Sequence, residues 1–106
     1  MTNFSDMLLK AKEMQDKMKE VQEIIKKIEV KGKSGGDLVE VTLSGDYEIK
    51  FIKINENAKK ENQEIINDLI IAAYNNAKEN LKKKSSEELS KVTGGMNLPF
   101  DFKLPF

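Results

Sequence analysis

The sequence predicts an α+β fold in the order long N-terminal helix, three-stranded antiparallel meander, long C-terminal helix. Three observations carry that prediction. Apolar residues recur at Phe4, Met7, Ala11, Met14, Met18, Val21, Ile25 and Ile28, in alternating steps of three and four. From Ile28 to Ile54 the alternation falls to two, interrupted at Gly35-Gly36 and again at Gly45-Asp46. After Asn62 a helical period returns and runs beyond Lys84. Steps of three and four mark a narrow helical stripe, whereas steps of two mark a pleated strand with one buried face.

The first helix is expected to start at Asn3 or Ser5, either of which is able to cap it, with Asp6 in the first turn where a negative charge suits the helix dipole. Its stripe has the spacing of a coiled-coil seam and so demands a partner helix. Three of the eight seam residues are Met, so the seam is compliant rather than a tight zipper. The other faces carry Lys10, Lys12, Lys17, Lys19, Lys26 and Lys27 among Glu13, Asp16, Glu20 and Glu23. Glu13 with Lys17 and Asp16 with Lys19 stand at ion-pairing separations. A solvated, pair-laced face and a lysine-rich face used on a polyanion are both consistent with this pattern.

The first strand reads from Ile28 to Lys33. A two-residue turn at Gly35-Gly36, which glycine permits through positive φ, would set Val30 opposite Val41 and Ile28 opposite Leu43. The second strand, 38–43, returns through a short loop as 47–54. A three-residue loop would set Leu43, Val41 and Val39 opposite Tyr47, Ile49 and Phe51, and Glu40 opposite Lys50; a two-residue loop would turn the apolar set toward water. On this register Leu38, Ile52 and Ile54 gather on the second face and are expected to meet either a covering helix or a dimer partner. Gly35-Gly36 lacks the GxxxxGK[ST] spacing of a phosphate loop, and no cofactor is expected.

Asn55-Glu56-Asn57 reads as a polar connection. Asn62 then caps a helix that reaches Lys84, with Val92 as its furthest end. Ile65, Ile66, Leu69, Ile70, Ala73, Ala77 and Leu81 line one side. The apolar front half is expected to cover the sheet, and from Asn75 onward the helix should leave the core, carrying Lys78, Lys82, Lys83 and Lys84. Residues 1–93 are thus expected to form one helix-sheet-helix domain. Residues 94–106 read as an apolar, extended tail, because Gly94-Gly95 end the helix and Pro99 and Pro105 keep the chain open. Three of the five Phe fall in the last seven residues, so two uses are open to the tail: folding back on the dimer, or acting as a short binding motif.

Composition narrows function. The 106 residues are 39% apolar and 34% charged, which fits one domain with a modest core. Two helices of this length outrun that core, and a two-fold homodimer is expected. With neither Cys nor His, the usual nucleophile, general base and soft metal ligands are missing. Asp and Glu show no convergent set, so neither an enzyme nor a small-molecule substrate is expected. Basic and acidic residues number 18 each, and every basic residue is Lys. Lysine is a mobile point charge suited to phosphates, whereas paired reading of guanine is mainly an arginine task. The first residues lack the features of a signal peptide and no apolar run is long enough for a membrane span, which predicts a cytoplasmic protein away from membranes.

Several segments together resemble the YbaB/EbfC family of bacterial nucleoid-associated proteins: AKEMQDKM in the first helix (11–18), GKSGGDLVEVT (32–42), Gly45, DLIIAAYNNA (68–77) and the closing GGMNLPFDFKLPF (94–106). The resemblance spans nearly the whole chain. It implies a tweezer-like homodimer with projecting helical arms that binds double-stranded DNA in the nucleoid through its first and last helices. The matching positions here are Lys10, Lys12, Lys17, Lys19, Lys26 and Lys27, with Lys78, Lys82, Lys83 and Lys84. Zero formal charge and Glu87-Glu88 after the lysine run predict weak binding at physiological salt. The competing reading is a prefoldin-like chaperone or protein-interaction adaptor, which the helix, hairpins and apolar tail would also suit.

Overall fold

A computed structural model describes residues 3–93. The apolar, extended tail expected at 94–106 lies outside the described residues. The elements run α1 (Phe4–Lys26), β1 (Glu29–Ser34), β2 (Val39–Ser44), β3 (Ile49–Ile54), α2 (Glu56–Lys59) and α3 (Gln63–Thr93). The sheet is an antiparallel meander in the order β1-β2-β3. The molecule is elongated, 69 × 23 × 19 Å, as a small sheet flanked by long helices must be.

Of the two candidate caps for α1, Asn3 is the one used: its Oδ1 accepts the Asp6 N–H at 2.8 Å. Asn62 Oδ1 accepts the Ile65 N–H at 2.9 Å at the start of α3. The expected polar connection instead contains the single turn α2. Asn55 caps it through the Asn57 N–H, and its Ala58 is buried in the core.

Both hairpins differ in register from the expectation. In the first, Val30 pairs with Leu43 and Gly32 with Val41, two residues from the predicted match. The loop is four residues, 35–38, with Gly35 and Gly36 at φ +58° and +72°. A slip of two preserves facing, so the apolar side stays apolar. In the second, the three-residue loop is Gly45-Asp46-Tyr47 rather than Ser44-Gly45-Asp46: the Ser44 N–H donates to the Glu48 carbonyl at 2.8 Å, and Tyr47 takes the left-handed position at φ +63°. A bulge then separates the Leu43–Ile49 pair from Thr42–Phe51.

The bulge adds one residue and so reverses the facing of everything beyond it. Ile52 and Ile54 pair with Val41 and Val39. They therefore share the core face instead of clustering with Leu38 on the opposite one. Phe51, expected inside, stands on the outer face beside Thr42, and Tyr47 and Phe51 are exposed. Glu40 lies across from Lys53, not Lys50, and its carboxylate meets Lys31 at 3.6 Å and Lys33 at 3.9 Å on β1, while Lys50 pairs with Glu48. Leu38 turns toward α3, since a Cβ on Gly35 would lie against Leu38 and Leu69 together.

The core is Val21, Ile25 and Ile28, the inner face of β2 (Val39, Val41, Leu43), Ala58, and Ala73, Ala77 and Leu81 of α3. α3 lies over β1 and β2. Gly32 makes this close approach possible, because a Cβ there would run into the Ala73 carbonyl and the Ala77 amide. Polar bolts fix the pairing: Asn76 Oδ1 accepts the Lys33 N–H at 2.9 Å, Asn80 Nδ2 donates to the Lys31 carbonyl at 2.7 Å, and Ser34 Oγ donates to the Leu69 carbonyl at 2.5 Å. α3 therefore runs opposite to β1, Asn76 meeting Lys33 and Asn80 meeting Lys31. It stays in the core through Leu81, beyond the predicted exit at Asn75, while Ile65 and Ile71 of its front half are exposed. Where α3 crosses Gly32 its fully buried positions are the small Ala73 and Ala77, and the larger Leu81 is buried one turn further on.

Candidate nucleic-acid interface

Past Leu81, α3 continues alongside α1 to make a two-helix arm, with Leu89 and Val92 packed against the core cluster that contains Val21 and Ile25. The seam expected on α1 is real at its inner end. Val21 and Ile25 are buried and Met14 and Met18 half-buried, whereas Phe4, Met7 and Ala11 are exposed. The arm has no sheet behind it, so its remaining faces are open to solvent.

The structure places the α1 lysines in two stripes. Lys12, Lys19 and Lys26 recur every seven residues, close to two turns, along one exposed face at spacings of about 10 Å. Lys10 and Lys17, also seven apart, flank the seam on its other side, where they border Glu13 and Met14, and Lys17 is half-buried. Lys27 caps the C-terminal end of the helix. Among the described residues the ion pair that closes on α1 is Glu23–Lys26 at 4.0 Å. The Glu13–Lys17 and Asp16–Lys19 spacings close no ion pair there.

On α3, Lys82, Lys83 and Lys84 follow the buried Leu81 at successive steps of about 100° and so encircle the three outward directions of the helix. Lys78 is half-buried one turn earlier. Leu81 shares the core cluster with Ile25, so this group and the C-terminal turn of α1, where Lys26 and Lys27 stand, border the same core. Lys84 is tied to Glu88 at 3.6 Å, and Lys91 reaches the same carboxylate at 3.3 Å. Lys78, Lys82 and Lys83 make no ion pair among the described residues. Of the residues expected at a dimer contact, Ile52 is exposed on β3, while Leu38 and Ile54 are half-buried against the core.

Asn76 and Asn80, which orient the arm by holding α3 to the backbone of β1, were not among the residues expected to matter. Their signal was two amides four residues apart, flanking the small-residue line of Ala73 and Ala77. No group of three or more carboxylates able to hold a metal ion occurs among the described residues, and no helix among them is long and apolar enough to cross a membrane.

Known proteins agree with this architecture. The crystal structure of an uncharacterized protein from Helicobacter pylori superposes with a TM-score of 0.71 at 19% identity, covering 89% of this chain and 100% of that one; it establishes the shared fold. A nucleoid-associated protein of Bartonella bacilliformis is 41% identical over 107 residues, spanning 100% of this chain and 99% of the relative. The profile of the YbaB/EbfC DNA-binding family matches residues 1–96, so the chain belongs to that family.

Proposed function

We propose that the protein binds double-stranded DNA as a homodimer in the nucleoid, through lysine-to-phosphate contacts with little sequence preference, and thereby influences chromosome organisation and gene expression. The observation that carries this reading is the lysine distribution on the arm, in a chain of a DNA-binding family. Lys12, Lys19 and Lys26 on α1 and Lys82 and Lys83 on α3 stand on solvent-facing surfaces of paired helices. Contacts of this type fix position on a duplex and carry no direct sequence information. Zero formal charge does not prevent them, because locally gathered lysines still produce a positive surface.

Support for the homodimer comes from the edge strand. Ile49, Phe51 and Ile52 on β3 are 47%, 61% and 41% exposed, and α3 lies over β1 and β2 instead. An unpaired strand edge carrying that much apolar surface is a ready site for a second copy. Titration of a duplex and a scrambled duplex of equal length, at several salt concentrations, tests the binding mode. Affinities should agree between duplexes and fall steeply with salt; a preference of several kcal/mol for one sequence, or indifference to salt, would overturn it.

A further inference from the structure

α1 runs out past the part of α3 that packs along it. Beyond Leu81, α3 continues to Thr93, about 18 Å of helix at 1.5 Å per residue. On α1 the burial ends at Met14, which is half-buried, while Ala11 is exposed. Outside that point the seam continues through Met7 and Phe4, with Leu8 beside them, and Phe4, Met7 and Leu8 are 74%, 60% and 56% exposed. The cover stops, but the apolar stripe does not.

The chain that follows α3 starts beyond Thr93, at the arm end of that helix. It carries Leu98, Phe100, Phe102, Leu104 and Phe106 within its last nine residues. Thirteen residues span up to about 40 Å when extended, several times the roughly 10 Å of helix between Ala11 and Phe4. We infer that the stripe formed by Phe4, Met7, Leu8 and Ala11 is the docking site for the apolar C-terminal segment 96–106 of the same chain. That segment supplies, in a different conformation, the cover that α3 gives the inner seam. Gly94-Gly95 permit the chain to change direction as it leaves the helix, and Pro99 and Pro105 reduce the freedom lost on docking. A groove of about 360 Å³, lined among the described residues by Lys10, Glu13, Met14 and Lys17, marks the inner end of the stripe. The contact is independent of nucleic acid.

The chain contains no Cys, so the pair Leu8→Cys with Phe102→Cys is unique in the full-length protein. Mild oxidation should join the two within one chain, giving a compact species of monomer mass on a denaturing gel. The control pair Leu9→Cys with Phe102→Cys, with Leu9 exposed but off the stripe, should form far more slowly. In a full-length variant with Phe100, Phe102 and Phe106 changed to Ser, amide exchange over residues 7–13 should quicken by about tenfold or more while Val41 and Leu43 keep their protection. A disulfide that joins only two chains would assign the stripe to a second copy and overturn the inference. Equal rates for the two cysteine pairs, or unchanged exchange in the Ser variant, would overturn it as well.

Discussion

Gly32 and Gly45 stand where a helix backbone passes too close for any Cβ. A methyl at Gly32 would run into the Ala73 carbonyl and the Ala77 amide, and one at Gly45 into the Ile25 carbonyl. Neither obstacle is a flexible side-chain end, so α3 or α1 would have to move. Gly32→Ala should therefore cost about 1–3 kcal/mol, in the range of overpacked cores. Gly36→Ala serves as a contrast. At φ +72° with open space around it, it should lose only the ~1–2 kcal/mol of left-handed strain, with α3 undisturbed. Chemical denaturation of both variants, with amide exchange in α3, separates the two causes. Gly45 was legible in the sequence only as a turn residue. The positive φ in its hairpin belongs to Tyr47, and the glycine is needed for α1, a requirement that no local pattern reveals.

Every element but the single-turn α2 could be read from its period, whereas the register between strands could not. Helix and strand identity depend on neighbours within one segment, which the alternation of Val39, Val41 and Leu43 or the stripe of α1 displays directly. Register depends on loop geometry, and here one bulged residue reversed the facing of Phe51, Ile52 and Ile54. The front of α3 misled for a related reason: Ile65 stood in the expected apolar line but is exposed, and the sheet lies further along that line, under Ala73 and Ala77. What holds α3 in that place is testable at this scale. Asn76→Ala and Asn80→Ala each remove one partner of a bond to the β1 backbone and should each cost about 0.5–1.5 kcal/mol. Leu81→Ala, at a fully buried site, should cost about 2–5 kcal/mol. Urea midpoints in which the asparagine variants match or exceed Leu81→Ala would refute this ranking. Met18→Lys, which sets a charge in the half-buried part of the arm seam, should also lower the midpoint; an unchanged midpoint would mean that the arm is not packed there.

At the scale of the whole molecule, an elongated body of 69 Å with one small core leaves both a strand edge and an arm in need of partners. If β3 supplies the dimer contact, Phe51→Lys with Ile52→Lys should yield a monomer in sedimentation at micromolar concentration while helical content persists. The lysines were easy to see in the sequence, whereas their grouping was not, because it depends on how α3 lies along α1. Suppose a dimer neutralises about four to eight phosphates. The slope of log affinity against log salt should then be roughly −4 to −7, at about −0.9 per phosphate contacted. Lys82, Lys83 and Lys84 changed together to Gln should flatten that slope and weaken every duplex about equally. Their loss should barely affect folding: Lys82 and Lys83 make no ion pair among the described residues, and Glu88 keeps Lys91 when Lys84 is gone, exposed pairs being worth about 0–1 kcal/mol. The same three changes at Lys50, Lys53 and Lys59, on and just after β3 and away from the arm, provide the control. If both triple variants lowered the slope equally, bulk charge rather than the arm would be responsible; if only the arm variant did, the contact lies where α1 and α3 run together.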